Sequence, residues 1–251
     1  MEKVKNGNAL IFGATGKVGS ALSLKLAHEF SNLCLVGRNK NKLSQLKEDL
    51  NKSKCKANLK QLECNFENYS EKNQKEINQL DKLDVVIFCT GSHTGLKGLD
   101  QIEDKEIDQS FHANISGIIK ASRDIMPSMN PGGVVIFLNS MSIKQNSKKN
   151  SLLYETQKAA LNRFIQVFRL EAILAKVKAV EINLGLFASQ LTYDAYGGKD
   201  EFVRRFGKLK LLEEREIVET IWWVVNRQEN VFISEINLTS VDQCLQSAMT
   251  N

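Results

Sequence analysis

The chain has 251 residues, 42% hydrophobic and 25% charged, with a formal net charge of +5. These proportions are those of an ordinary globular domain, and at this length a chain buries roughly three quarters of its unfolded surface. Collagen-like, disordered and disulfide-rich classes are excluded. The longest apolar runs, such as Val134–Leu138 and Ile221–Val225, fall far short of the roughly 20 residues needed to cross a bilayer, so no membrane partner is expected. The opening stretch Met1–Gly13 is charged with one short apolar run, so no secretory leader is expected and a cytoplasmic protein is. Lysines interleave with acids and no basic stripe with aromatics occurs, which speaks against nucleic acid as a partner. Five cysteines without CxxC spacing and three scattered histidines (28, 93 and 112) match no metal pattern.

In chain order, short runs rich in Val, Ile and Leu recur at Asn8–Phe12, Leu33–Gly37, Leu59–Cys64, Asp84–Cys89, Val134–Asn139, Val177–Leu184 and Val231–Leu238. They are near-continuous rather than alternating, as in strands buried on both faces. Between them stand helix-spaced apolar residues. These are Val18, Ala21, Leu22 and Leu26; then Leu43, Leu46 and Leu50; then a long helix through Ile107, Phe111, Ile115, Ile118 and Ile119. Ala160, Leu161, Phe164, Phe168 and Leu170 mark a further helix, and Ile217–Val225 the last. Strands alternating with helices predict an α/β fold: a doubly wound, three-layer α/β/α sandwich of Rossmann type with about seven parallel strands. The two prolines, Pro127 and Pro131, mark no linker, so 1–251 reads as one domain. The excursion Ser189–Leu212, with Gly197–Gly198, is expected to be a lid over the substrate.

Directly after the first strand comes Gly13-Ala14-Thr15-Gly16-Lys17-Val18-Gly19, then a helix. Gly13 permits a tight turn, Gly16 lets backbone approach a pyrophosphate, and Gly19 lets the helix pack close to the sheet. The helix N-terminus offers free N–H groups to the anion. Thr15, Lys17 and Val18 complete this expected cofactor turn. It is no Walker A loop, because Val18 stands where Ser or Thr is needed. The second strand ends Gly37-Arg38-Asn39, without the acid that accepts from NAD ribose hydroxyls. Arg38 lies about 20 residues beyond the turn, where a 2′-phosphate would sit, so NADP(H) is favoured over NAD(H), with Arg38 and Asn39 as cofactor residues.

Tyr154 and Lys158 stand at i, i+4 on one helix face after the fifth strand, which ends Asn139-Ser140. Asn114 is a polar residue inside an otherwise apolar helix. A carbonyl reduced to an alkoxide needs an acid beside it. A phenol titrates near 10 and suits that task once an adjacent cation lowers it. Ser140 would stabilise the developing charge, with Ser142 as the alternative.

Gly13–Gly19, Asn114, Ser140, Tyr154–Lys158 and Asn183-Leu184-Gly185, in that order, make the chain resemble the short-chain dehydrogenase/reductase family over its whole length. The resemblance implies that Tyr154 is the proton donor and Ser140 holds the substrate oxygen. It implies that Lys158 binds the nicotinamide ribose and lowers the Tyr154 pKa, and that Asn114 supports a relay to Lys158. It places Asn65, Gly91, Leu184 and Gly185 on the cofactor. It also implies helix pairing between subunits, around Asp104–Met126 and Tyr154–Ala175, into a homodimer or homotetramer. Several positions depart from the family's pattern. Phe12 stands for Thr and Lys17 for the middle Gly of T-G-x-x-x-G-x-G. Phe88-Cys89-Thr90-Gly91 stands for N-N-A-G, Asn65 for an acid, and Leu184 for Pro.

The expected activity is hydride transfer between NADP(H) and a carbonyl or secondary alcohol. The alternatives are a dinucleotide-binding dehydratase or epimerase, or a non-enzymatic NADP(H)-sensing protein. Lys144, Lys148 and Lys149 near the site, with Lys199, Arg204, Arg205, Lys208 and Lys210 in the lid, suggest a cationic rim and an anionic substrate. Leu152, Leu153, Leu186 and Phe187 are candidates for an apolar pocket wall.

Overall fold

The computed structural model describes residues 7–92, 97–145, 150–207 and 209–249. His93, Lys148, Lys149 and Lys208 lie outside them. Seven parallel strands form one sheet: β1 (Asn8–Phe12), β2 (Asn32–Gly37), β3 (Asn58–Glu63), β4 (Leu83–Phe88), β5 (Met129–Ser140), β6 (Lys178–Leu184) and β7 (Glu235–Leu238). Their order is β3-β2-β1-β4-β5-β6-β7. The chain starts at the centre, winds out to β3, then crosses back to continue from β4. The loops after β1 and β4 therefore diverge, which opens a crevice at the carboxyl edge.

Strands β1 to β6 feed both faces. Ala9 and Ile11 enter one apolar cluster with Leu22, Leu26, Leu43 and Ile221; Leu10 and Phe12 enter the other with Ile118, Ile125 and Leu161. Helices α1 (Lys17–Glu29), α2 (Lys40–Lys52) and α9 (Glu214–Val225) cover the first face. Helices α3 (Glu71–Asn78), α5 (Gly117–Ile125) and α6 (Leu152–Leu174) cover the second. This double burial is why the strands read as continuous apolar runs.

The long helix expected through Ile107–Ile119 is broken. Helix α4 (Asp104–Phe111) passes through a π-helical turn, His112–Ser116, into α5. The widened turn buries Asn114, at 2% exposure. The seventh strand begins at Glu235 rather than Val231, because β7 is the sheet edge and Val231 and Phe232 stand 37% and 43% exposed. The Ser189–Leu212 excursion is helical: α7 (Gln190–Ala195) and α8 (Lys199–Phe206) pack Tyr193, Tyr196, Phe202 and Phe206 into an aromatic cluster. A last helix, α10 (Val241–Met249), follows β7. Phe168 belongs to the core, edge-on to Phe137 at 5.7 Å, whereas Leu170 and Leu174 of the same helix are exposed.

Three phenylalanines at one level of the central strands form a stack. Phe12 lies on Phe88 at 4.6 Å and Phe88 on Phe137 at 4.8 Å, both nearly parallel. Two departures from the family's pattern, Phe12 and Phe88, are thus in contact. Phe12→Ala and Phe88→Ala should each cost about 3–5 kcal/mol. Because they empty one shared space, the double variant should cost less than the sum in urea denaturation; strict additivity would show that the rings act independently.

Candidate active site

The crevice holds a cleft of about 460 Å³. One wall is the turn after β1, with Thr15, Gly16, Lys17, Val18 and Gly19. Gly13 takes a left-handed φ of +78°, and a Cβ there would stand 2.9 Å from the Cys89 carbonyl oxygen. A Cβ on Gly19 would overlap the Gly13 carbonyl oxygen. The turn is therefore folded as tightly as backbone allows. Gly16 caps α1 without a side chain, and no acid occupies the first helical turn, so uncapped N–H groups face the cleft.

The opposite wall carries the chemical groups. Ser140 ends β5, and its hydroxyl is hydrogen-bonded to the Tyr154 phenol while accepting from Ser142 N–H at 3.1 Å. Lys158 lies one turn further along α6, with Nζ 5.7 Å from the Tyr154 ring centre. Gly91 backs it closely: a Cβ there would lie 3.7 Å from Nζ. Asn114 stands behind. Its Oδ1 accepts from Ser92 N–H at 2.9 Å and its Nδ2 donates to Gln157 at 2.8 Å. Gln157 in turn donates to the Ser110 hydroxyl at 2.7 Å.

Burial governs the titration of both central groups. It lowers Lys158 to about 8 from an ordinary 10.5, opposed by the negative charge of Glu181. It raises Tyr154 above its ordinary value, opposed by the Ser140 hydrogen bond and reinforced by the neighbouring Tyr196 phenol. The expected lowering of Tyr154 by Lys158 is not what this ligand-free arrangement shows. The ammonium is itself weakened by burial, and desolvation of the phenolate dominates.

The cleft brings together Thr15, Gly16, Lys17, Val18, Gly19, Gly91, Ser140, Tyr154, Lys158, Leu184 and Gly185. Gly13 and Asn114 support it from behind. Arg38, Asn39 and Asn65 lie outside the cleft, at the ends of β2 and β3. Arg38 points to solvent, 3.5 Å from Glu67. Asn39 caps α2 by accepting from Lys42 N–H, and Asn65 accepts from Glu67 N–H. Only the backbone of Lys17 serves the turn; its side chain bridges to the Ala188 carbonyl and, at 3.2 Å, to Glu214.

Among the described residues, Lys144, Arg204 and Arg205 do not form a cationic rim on the cleft. Lys144 pairs with Glu235 at 3.0 Å, Arg204 with Glu201 at 2.6 Å, and Arg205 stacks on Tyr196 and Phe206. None of these lines the cleft, one part of whose wall carries Leu186, Phe187, Leu191 and Met141. Leu186 and Phe187 therefore stand in the wall; Leu153 is buried core, and Leu152 is exposed beyond the cleft.

Some residues of the site carried no role in the sequence reading. Asn139, the neighbour of Ser140, and Glu181, an acid inside an apolar strand run, were legible as anomalies. Gln157 and Gln243 bore no signal. Gln243 reaches the cleft from α10, accepting from Leu186 N–H at 2.8 Å.

The residues fit a dinucleotide. The turn is a cradle that side chains would fill, and the buried polar atoms Thr90 Oγ1, Asn139 Oδ1 and Ser142 Oγ, all of cleft-lining residues, have no partner in the protein. The sequence pattern of the short chain dehydrogenase family matches residues 7–198. The chain belongs to that family. It is 25% identical over 244 residues to an uncharacterized oxidoreductase of Staphylococcus epidermidis, covering 96% of this chain and all of that one. A homologous uncharacterized oxidoreductase of Staphylococcus aureus is 26% identical over 242 residues, covering 93% and 96%. Among solved structures, an alcohol dehydrogenase of Thermococcus sibiricus, complexed with 5-hydroxy-NADP, superposes with a TM-score of 0.80 at 20% identity, covering 95% of this chain and 98% of its own. This short chain dehydrogenase is thus an oxidoreductase by family. Among the described residues no cluster of three or more His, Cys, Asp or Glu could hold a metal ion, and no helix is long and apolar enough to cross a membrane.

The buried lysine has a measurable cost. Unfolded, it titrates near 10.5; folded, at about 8. Below pH 8 it is protonated in both states and the folded state bears the full penalty. Between pH 8 and 10.5 the folded state alone has released the proton, so stability rises with pH. Lys158→Met should therefore flatten the rise of stability between pH 8 and 10.5 that urea titrations of the wild-type protein show; a rise that persists in the variant would assign it to other groups.

Proposed function

We propose that this chain transfers a hydride between NADP(H) and a carbonyl or secondary alcohol on an uncharged, largely apolar substrate. The observation that carries the reading is the hydrogen-bonded Ser140–Tyr154 pair, with the Lys158 ammonium beside it, facing the glycine turn across one cleft. The nicotinamide, when bound, supplies or accepts the hydride. In the reducing direction the carbonyl oxygen sits between the Ser140 and Tyr154 hydroxyls. As the carbonyl carbon receives hydride, the C–O π pair moves to oxygen and takes the Tyr154 proton, leaving a phenolate and an alcohol. The Lys158 ammonium and the Ser140 donor then stabilise the phenolate until it is reprotonated. Asn114, fixed by Ser92 and Gln157, holds the turn of chain behind Lys158. The apolar wall of Leu186, Phe187 and Leu191 excludes water and favours an uncharged substrate.

NADP(H) is preferred in this reading because β2 ends in Arg38 without a competing acid of its own. The Arg38–Glu67 pair, 3.5 Å long with the arginine side chain 68% exposed, is of the weak surface kind, so the guanidinium is free to turn to a 2′-phosphate. The Thermococcus sibiricus neighbour is complexed with an NADP derivative, in keeping with this choice.

NADPH should bind at least about tenfold more tightly than NADH, followed by nicotinamide fluorescence, and Arg38→Ala should abolish the difference. Equal affinity in the wild-type protein would remove the NADP assignment. With an apolar ketone, Tyr154→Phe should lower kcat by about 10²–10⁴-fold while leaving the NADPH Kd unchanged. Near-normal turnover would refute the proton-donor role.

A further inference from the structure

Strand β6 carries one side chain that the reaction above does not use. Glu181 is completely buried. Its neighbours in sequence, Val180 and Ile182, point to the opposite face and belong to the apolar cluster there. Its carboxylate accepts from Asn139 Nδ2 at 2.6 Å and from Asn162 Nδ2 at 2.8 Å. Asn139 stands immediately before Ser140 on β5, and its second amide hydrogen goes to the Lys158 carbonyl at 3.2 Å. Asn162 stands one helical turn after Lys158 on α6. One carboxylate thus ties the strand that ends in Ser140 to the helix that presents Tyr154 and Lys158. A buried charge is costly, and two amide donors without a contacting cation leave much of that cost uncovered.

We infer that Glu181 is a positioning residue for Lys158. It locks α6 against β5 through Asn139 and Asn162, and it serves as the buried counter-charge that keeps the lysine an ammonium.

The surrounding charges single it out. Beside Lys158 the cleft is lined by Tyr154 and Glu155 of α6, Cys89 after β4, Tyr196 after α7 and Lys17 of the glycine turn. Cys89 is a buried thiol pushed up to about 12. Burial lowers the Lys158 ammonium, and the negative charge of Glu181 opposes that lowering. Around Glu181, the nearby charges are committed elsewhere: Glu235 of β7 to Lys144, and Arg169 of α6 to the Ala179 and Ser234 carbonyls.

The inference rests on the proposed role of Lys158 only for its meaning in turnover; its test does not need a substrate. Protein labelled with [13Cε]lysine gives a Lys158 resonance, identified by its loss in Lys158→Met. In the wild-type protein this resonance should titrate with a midpoint near 8, and Glu181→Gln should lower the midpoint by one pH unit or more, a tenfold change in the protonation equilibrium. Gln keeps the Asn139 bond through its oxygen, and its nitrogen is met once Asn162 turns its amide and gives up the bond it accepts from Gln166 Nε2. Asn162→Ala, which breaks one tie and keeps the charge, should lower stability while leaving the midpoint within a few tenths of a unit. A Glu181→Gln midpoint that does not move would reduce Glu181 to a structural tie and overturn the inference. Should that variant fold poorly, the wild-type Glu181 carboxyl 13C resonance decides: it should shift with the Lys158 midpoint and lose that inflection in Lys158→Met. A carboxyl resonance blind to Lys158 also overturns it. Absence of NADPH turnover would leave these titrations unchanged and count only against the proposed reaction.

Discussion

A lysine ammonium held inside an almost dry sheet edge is the constraint around which the site is organised. Lys158 must lie close to Tyr154, yet helix α6 can reach that place only by packing flat on β5 and β6, where water is excluded. The cost appears in the lysine's lowered pKa, and the means of bearing it in Glu181, Asn139 and Asn162. The same tie sets the register of Ser140 against Tyr154, because Asn139 is bonded both to Glu181 and to the Lys158 carbonyl. Geometry and electrostatics are here one device: the group that supplies charge also supplies alignment.

The other half of the cleft is governed by backbone proximity instead. Gly13 and Gly19 approach so closely that neither accepts a side chain, and Gly13 lies against the end of β4. That closeness needs β1 and β4 to be neighbours while their following loops part, which the crossover from β3 to β4 provides. The Phe12–Phe88–Phe137 stack lies across β1, β4 and β5 directly beneath, in the register of the strand ladder. The glycine turn and the Ser140–Tyr154 wall are therefore carried by strands whose spacing the backbone hydrogen bonds set.

The fold was legible because double burial leaves a coarse trace: continuous apolar runs for strands and 3.6-residue spacing for helices. Elements without that trace were not legible. Helix α3, EKNQKEIN, buries only Ile77 and Asn73, and α10 leaves its i, i+4 pair Val241 and Leu245 exposed, so neither is held by an apolar stripe of its own. The break at His112–Ser116 is invisible to periodicity, since a π turn adds one residue without changing composition. The glycine turn and the Ser140–Tyr154–Lys158 wall were legible because spacing along one strand end and one helix face fixes their meeting. The basic residues near the cleft carried no such constraint. Surface lysines and arginines have reach enough to find partners such as Glu235 and Glu201, and sequence position does not say which way they turn.

The departures from the family's pattern fall mostly on the dinucleotide side, and the structure gives several of them work. Phe12 and Phe88 stack on each other, Asn65 caps the turn after β3, and Leu184 is buried among the sheet's apolar residues. Lys17 spans from the glycine turn to Ala188 and Glu214, across the mouth that a cofactor would enter. The chemical wall meanwhile keeps Ser140, Tyr154, Lys158 and Asn114 in mutual support, with a buried charge retained at Glu181 that would be costly to keep for stability alone. The changes on the dinucleotide wall are thus mostly met by local packing, beside a costly buried charge on the other wall.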